Sequence, residues 1–364
     1  MTAHMAVATS SLRSYTPSRL AVGLWLLAVA LLIAATVTVG GLTRLTGSGL
    51  SITEWHPVTG VVPPLSDQAW QAEFTKYQRI PQYQLENRGM SLGDFKAIYW
   101  WEWSHRLLGR LLGFVFFVPF LFFAYTGAIP RAGLPRMVVL LALGGLQGFV
   151  GWWMVESGLE TRVSVSPYRL AIHLGVAIIL LGAILWTAFE YLRAGYLSSP
   201  VNGGRKLTGT AFLLVALVYL QMLIGALVAG LHAGLIYNTW PSMDGRVFPE
   251  TPFFSSPWWI NFFENPGLAQ FDHRIGAYLI AFAVIALWIA GRRVKLPGLA
   301  RASSNTLLAV MLLQIVLGIV TLVNQVPVAL AALHQATAVA LFASAVWHAY
   351  EVSRSERVQP VASA

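Results

Sequence analysis

Residues 20–42 read LAVGLWLLAVALLIAATVTVGGL and contain no charged side chain. A helix of about 20 apolar residues spans the hydrocarbon core of a bilayer. In lipid each segment must satisfy its own backbone hydrogen bonds, which favours helices. Seven comparable runs follow, so the sequence predicts an all-α membrane protein with eight transmembrane helices, at 20–42, 101–125, 135–156, 168–192, 207–231, 270–290, 303–323 and 328–352.

The composition agrees with this class and predicts an orientation. Hydrophobic residues make up 56% of the 364 positions and charged residues 11%, whereas a water-soluble domain carries roughly 25% charged residues. The net charge is +9, but the basic side chains concentrate in the tails and in the loops after helices 2, 4 and 6. The positive-inside rule therefore predicts that both termini are cytoplasmic, and nucleic acid is not an expected partner. The absence of cysteine excludes disulfides and thiolate metal sites.

The two halves of the chain repeat one pattern of motifs. The matched positions, in the same order in each half, are Trp55 and Trp240, His105 and His273, Gln147 and Gln314, and His173 and His334. Each unit contains four helices, so the units are parallel repeats about an axis along the membrane normal. The predicted divisions are a cytoplasmic tail (1–19), a first four-helix half (20–193), a linker (194–206), a second four-helix half (207–352) and a cytoplasmic tail (353–364).

The repeat places four histidines near the outer ends of even-numbered helices, namely His105, His173, His273 and His334. Facing histidines in a four-helix bundle can bind a haem iron from both sides, and ionisable groups at membrane depth are usually functional. Zinc is disfavoured, because two histidines without a carboxylate or thiolate leave its four-ligand site incomplete. For a lone histidine such as His232, a packed or hydrogen-bonded role is the expected one.

The halves differ at one position beside these histidines. Glu102 precedes His105 by three residues, which places both on one helix face, whereas Gln270 precedes His273. The sequence therefore predicts a proton-handling acid in the first half alone. The alternative is a charged edge residue that is solvated by the adjacent loop.

The arginines and glutamines near these histidines can each be interpreted in two ways. Arg106 and Arg274 either neutralise haem propionates or pair with neighbouring acids, Glu102 and Asp272. Gln147 and Gln314, together with Gln221, stand four residues before a glycine. These glutamines either join helices by hydrogen bonds or contact the haem or its ligands.

The first outer loop is longer than its counterpart in the second half. Its polar stretch 66–95 predicts a short surface helix. Arg44, Glu54 and Trp55 belong to this loop and are candidates for shaping the site of the first half.

Six segments together resemble the haem A synthase family. They are 47–55 (GSGLSITEW), 102–106 (EWSHR), 168–175 (YRLAIHLG), 234–245 (GLIYNTWPSMDG), 272–274 (DHR) and 333–337 (LHQAT). The resemblance implies an oxidoreductase that converts the C8 methyl of haem O to the formyl group of haem A by successive hydroxylations, for cytochrome oxidase assembly. It also implies a bacterial inner membrane location, with the haem sites near the periplasmic face.

The same resemblance assigns roles. His105 and His173 flank the substrate, His273 and His334 ligate the iron of a haem b cofactor, and Glu102 matches the catalytic glutamate. Some members carry a cysteine pair in the first outer loop, where this chain has about Ser51 and Val58, so it resembles the cysteine-free branch. The implied partners are haem O, the haem O synthase (a farnesyltransferase), cytochrome oxidase assembly factors and an electron donor, while a homo-oligomer is left open.

Two other functions remain as alternatives. A non-catalytic dihaem b-type cytochrome explains the four histidines but not the difference between Glu102 and Gln270. A transporter of haem or another small molecule explains the duplication but not the uniform depth of the histidines.

Overall fold

The structure is a computed structural model and describes residues 17–160, 162–194 and 204–357. Across these ranges, eight helices are long and apolar enough to cross a membrane, which confirms the predicted all-helical membrane class. The helices are α1 (Pro17–Leu45), α2 (Asp67–Tyr77), α3 (Pro81–Leu85), α4 (Leu92–Tyr125), α5 (Leu134–Leu159), α6 (Pro167–Leu192), α7 (Gly204–Gly230), α8 (Asn261–Glu264), α9 (Pro266–Arg293), α10 (Gly298–Val323) and α11 (Val328–Arg357). The short helices α2, α3 and α8 lie in two long loops, 46–91 and 231–265.

Most spanning helices begin and end within five residues of their predicted bounds, whereas α4 begins nine residues earlier than predicted. α4 starts at Leu92 rather than 101, because Ser91 and Asp94 form a capping box. Ser91 Oγ accepts a hydrogen bond from the Asp94 backbone N–H at 3.1 Å, and the Asp94 carboxylate accepts one from the Ser91 N–H at 3.4 Å. α11 continues to Arg357 and so enters the predicted tail 353–364. Residues 195–203 of the predicted linker, and 1–16 and 358–364 of the tails, lie outside the described residues.

The first long loop has a small apolar core of its own. The predicted surface helix is present as α2, where the side chain of the N-cap residue Ser66 accepts a hydrogen bond from Ala69 N. Aromatic residues of α2 pack against the first turns of α4, and the buried members of this cluster include Trp70, Phe74, Tyr77, Phe95 and Tyr99. The loop therefore covers the N-terminal end of α4.

Four helices form the interior of the bundle. α1, α6, α7 and α11 pack on one another, and Leu26, Ile178 and Leu214 on these helices are almost completely buried. α4, α5, α9 and α10 flank them and expose large apolar side chains such as Phe114 and Phe282, which suits lipid rather than water. α4 and α6 both pack on α1, while α9 and α11 both pack on α7. The four predicted histidines lie on α4, α6, α9 and α11, so this packing determines where they meet.

Candidate functional site

The structure brings the four predicted histidines into two pairs. His273 on α9 and His334 on α11 lie with their ring centroids 6.4 Å apart and their planes at 75°. His105 on α4 and His173 on α6 lie on two helices that both pack on α1. All four residues are half-buried. Each pair joins two helices that pack on a shared central helix, α7 or α1.

Each of these imidazoles lies directly against a glycine of a neighbouring helix. A Cβ added to that glycine would meet the imidazole Cε1 at 2.7 to 3.2 Å, which is closer than an ordinary van der Waals contact. The pairs are Gly40 with His105, Gly151 with His173, Gly225 with His273, and Gly318 with His334. The structure therefore shows that these four glycines make room for histidine rings.

The predicted glutamines contact the same histidines. Gln147 Nε2 lies 3.2 Å from His173 Nδ1, and Gln221 Nε2 lies 3.0 Å from His273 Nδ1. Gln314 Nε2 lies 3.3 Å from Nε2, the other ring nitrogen, of His334. In each case the glutamine precedes the glycine beneath the ring by four residues, so one helix supplies both contacts.

The fourth histidine uses a backbone group instead of a glutamine. Nδ1 of His105 lies 3.1 Å from the carbonyl oxygen of Thr36, which stands four residues before Gly40. If Nδ1 carries the proton, it donates to this carbonyl and leaves Nε2 free for a ligand. Sequence reasoning missed Thr36 because its side chain takes no part in the contact. The signal that could have found it is its spacing to Gly40, the same as that from each glutamine to its glycine.

Glu102 is buried between α4 and the first long loop, with 2% of the residue exposed. Its Oε2 accepts hydrogen bonds from Ser51 Oγ at 2.7 Å and from the backbone N–H of Ile52 at 2.9 Å. Its Oε1 accepts from the Arg106 guanidinium, with 2.6 Å to Nη2. The alternative of a solvated edge residue is therefore wrong, because the loop covers the carboxylate and satisfies it.

Arg106 extends this network to the loop backbone. Its Nη2 donates to the carbonyl of Ile52 at 2.8 Å, and its Nη1 donates to the carbonyl of Glu54 at 3.1 Å. The structure contains the predicted pairing of Arg106 with Glu102. The charge of the buried carboxylate is thus compensated within one turn of α4.

The second half builds the equivalent contact with an amide. Gln270 is buried, and its Nε2 donates to the carbonyls of Ala233 and Tyr237 at 3.0 and 3.1 Å. Arg274 donates to Gln270 Oε1 at 3.3 Å and to the Tyr237 carbonyl at 3.1 Å. Within the described residues Arg274 forms no ion pair with Asp272, so that predicted pairing is wrong. A carboxylate that accepts from its loop in one half corresponds to an amide that donates to its loop in the other.

Arg44 connects the two halves instead of lying only beside the first site. Its Nη2 donates to the Ala229 carbonyl at 3.1 Å and lies 2.9 Å from Nε2 of His232. Burial lowers the pKa of His232, and the nearby guanidinium of Arg44 lowers it further. His232 therefore acts as the acceptor for Arg44, as expected of a histidine outside the two pairs.

Glu54 and Trp55 lie at the surface of the first long loop. Glu54 Oε2 bonds to Lys76 at 2.8 Å and to His56 at 3.0 Å, and these hydrogen bonds lower the pKa of the Glu54 carboxyl. Trp55 stacks on Trp152 of α5, with ring centroids 5.5 Å apart. Only the backbone carbonyl of Glu54 reaches the network around Glu102, through Arg106.

An eight-helix membrane protein with a histidine pair in each half has the features of a membrane haem protein. Residues 23–346 match the family described as cytochrome oxidase assembly protein. The chain belongs to this family.

Individual relatives are similar over nearly their full length. A protein of Parvibaculum lavamentivorans named "Heme A synthase" is 50% identical over 92% of this chain and 95% of its own length. A protein of the same name from Bradyrhizobium diazoefficiens is 48% identical over 93% of this chain and 94% of its own length. Another from Azorhizobium caulinodans is 49% identical over 97% of this chain and 100% of its own length.

Proposed function

We propose that this protein is a haem A synthase, an oxidoreductase that acts on the C8 methyl of haem O during cytochrome oxidase assembly. Each of two hydroxylations would replace a C–H bond of the methyl carbon with a C–OH bond, with dioxygen as the final acceptor of the two electrons, and loss of water from the resulting diol would leave the formyl group. Relatives that share about half of the sequence carry this name. The observation that carries the proposal is the pair of glycine-backed imidazoles that recurs in each half of the chain.

The second half is the proposed site of a haem b. A bond from a metal to an imidazole nitrogen is about 2.0 Å and the ring centre lies roughly 1 Å further, so two rings across one iron have centres about 6 Å apart. The observed 6.4 Å between His273 and His334 fits this spacing. A haem with two histidine ligands supplies one-electron transfer and leaves no open position for oxygen.

Polar atoms around the histidines also fit a bound haem. The Oε1 atoms of Gln147, Gln221 and Gln314, and Nδ1 of His334, are buried and lack a partner among the described residues. An imidazole that binds iron through Nε2 carries a proton on Nδ1. For Gln147 and Gln221, which lie beside Nδ1 of His173 and His273, rotation of the amide would let Oε1 accept that proton, which would fix the orientation and basicity of the ligand.

The first half is the proposed substrate site, with His105 and His173 on either side of haem O. Glu102 would hold or release a proton at Oε2, where the Ser51 hydroxyl can both donate and accept. Arg106 would hold the carboxylate in position through its contact with Oε1. The Glu102 network has a neutral equivalent at Gln270, and this difference supports assigning the chemistry to the first half.

We further propose the predicted topology: two parallel four-helix halves, both termini in the cytoplasm of a bacterial cell, and both haem sites towards the periplasmic face. The equivalent contacts of Arg106 and Arg274 with their loops support the repeat. The haem O synthase, an assembly factor of cytochrome oxidase and an electron donor are the proposed partners.

One experiment separates this function from that of an electron-carrying dihaem cytochrome. The protein is co-expressed with a haem O-producing farnesyltransferase in a host that makes no haem A, and the extracted haem is analysed. We expect haem A, together with the alcohol intermediate when turnover is slow. Haem O alone, beside abundant folded protein and a working electron donor, would favour the cytochrome.

A second experiment tests the haem b site separately. His273→Ala and His334→Ala should abolish most of the low-spin b-type spectrum of the purified protein. His56→Ala is the matched control, because His56 is exposed in the first long loop. Retention of the spectrum in the His334 variant would show that the ligands lie elsewhere.

A further inference from the structure

The second long loop contains an uncharged segment of 13 residues, 251–263 (TPFFSSPWWINFF), called here the aromatic segment. Six large rings in it are substantially exposed, at 37% to 66% of their surface: Phe253, Phe254, Trp258, Trp259, Phe262 and Phe263. Each such aromatic side chain has about 150–250 Å² of surface, most of it apolar. Together these six rings form an exposed apolar patch far larger than single apolar residues make on a soluble protein.

Buried asparagines turn the polar backbone of the aromatic segment inward. Asn261 is completely buried, and its amide donates to the carbonyls of Ser255 and Trp258 at 2.9 and 2.8 Å while accepting from Ser255 N–H at 3.0 Å. Asn265 donates to the carbonyls of Thr251 and Pro252 at 2.7 and 3.1 Å. Backbone groups without partners are costly away from water. Because the asparagines bond these backbone groups inside the segment, its outer surface consists mainly of aromatic rings.

The aromatic segment lies at the depth where two spanning helices begin. It ends within α8, three residues before Pro266, the first residue of α9. At its end Glu264 accepts a hydrogen bond from the hydroxyl of Tyr168, in the first turn of α6, at 2.7 Å. Phe263 contacts the ring of the same tyrosine, with centroids 6.5 Å apart. Tryptophan and tyrosine concentrate at this level of membrane proteins, between headgroups and acyl chains.

The surface helix of the first long loop shows the opposite arrangement. Its aromatic residues form the buried cluster around Tyr77 and Phe95. Its surface carries ion pairs, with Lys76 bonded to both Glu54 and Glu73. A charged surface over an apolar interior is typical of a segment in water.

We propose that the aromatic segment is inserted in the outer lipid–water interface, whereas α2 of the first long loop faces water. The partner of the exposed rings is the boundary between the headgroups and acyl chains of the surrounding bilayer. The segment would thereby anchor the beginning of α9, the helix that carries His273, at a fixed depth.

The absence of cysteine allows a direct test by site-directed spin labelling. Single variants Phe254→Cys and Trp258→Cys are labelled with a nitroxide, with Gln71→Cys on the exposed face of α2 as the matched control. Each is reconstituted in phosphatidylcholine and phosphatidylglycerol vesicles. Relaxation by oxygen, which concentrates in lipid, is compared with relaxation by a water-soluble nickel chelate. We expect labels 254 and 258 to respond mainly to oxygen and label 71 mainly to nickel.

Two outcomes would overturn the proposal. Labels 254 and 258 could be as accessible to nickel as label 71, which would place the aromatic segment in water. Alternatively, the labels could be accessible to the nickel chelate in vesicles of purified protein but protected from it in native membranes. That result would identify a protein partner instead of lipid. The two label positions are independent, and unchanged haem content in either variant shows that it is folded.

Discussion

The hydroxyl of Ser51 donates to the carboxylate of Glu102 at 2.7 Å, across the interface between the first long loop and α4. Both residues are almost completely buried. Because Ile52 N–H and the Arg106 guanidinium also donate to this carboxylate, Glu102 fixes the position of the loop as well as carrying an acidic group. Replacing it therefore tests two roles, and the variants must separate them.

Glu102→Gln should cut haem A formation by about 10²–10⁴, the usual contribution of one general acid–base group, and haem O or its alcohol should accumulate. The haem b content should stay near that of the wild type, because its proposed ligands lie in the other half. The measurement is the haem composition of the purified protein after single turnover.

Ser51→Ala is the control for the positioning role of Glu102. It removes one hydrogen bond from the loop but keeps the carboxylate. We expect a smaller loss of haem A than in Glu102→Gln, with activity that still depends on pH. Equal losses in both variants would show that the carboxylate only positions the loop.

The reverse change in the other half, Gln270→Glu, should perturb the haem b spectrum without creating a second active site.

Gly318→Ala should lose most of the haem b. The added methyl would lie 2.9 Å from Cε1 of His334, and overpacking of this kind typically costs 1–3 kcal/mol. Gly144→Ala in α5 is the matched control, because a Cβ there meets no atom within 4 Å. The absorbance of haem b per mole of protein decides the result. Full haem b content in Gly318→Ala would show that the His334 ring has freedom to move.

Gln221→Leu should weaken haem b binding by about 10–100-fold, the usual effect of removing a hydrogen-bond partner from a ligand histidine. The measurement is haem retention during titration with a competing haem-binding protein, together with the midpoint potential. Thr36→Val is the equivalent change at the first site, where haem O retention is measured in the same way, and it should have little effect because His105 bonds to the backbone carbonyl of Thr36. A similar response of both variants would contradict the assigned contacts.

The contact between Arg44 and His232 should weaken in acid. Burial and Arg44 lower the pKa of His232 in the folded protein below its ordinary value, so the folded state binds this proton less readily than the unfolded state. The stability contributed by the neutral ring is therefore complete above the ordinary histidine pKa of about 6.5 and is lost as the pH falls below it. Thermal unfolding in detergent at pH 7.5 and 5.5 measures the loss, which should be smaller in His232→Gln. An equal loss in the variant would assign the pH dependence to other groups.

The apolar length of each span is a local property, and so the sequence alone determined the number and class of the helices. The order of the repeated motifs also determined which histidines belong together, since one helix of each half carries each motif. The sequence-based start of α4 at 101 was too late, because residues 92–100 belong to a helix that begins at a capping box and packs on loop aromatics rather than on lipid.

Only the tertiary structure decided what these residues touch. Glu102 and Ser51 are 51 positions apart, and Arg44 and His232 are 188 apart, so no periodicity along one helix records either contact. The glycines beneath the imidazoles looked like any other small residue of a membrane helix, because the demand for a missing Cβ comes from a ring on a neighbouring helix. Hydropathy encodes which segments enter the membrane, whereas hydrogen bonds and close contacts between distant segments depend on how those helices pack against each other.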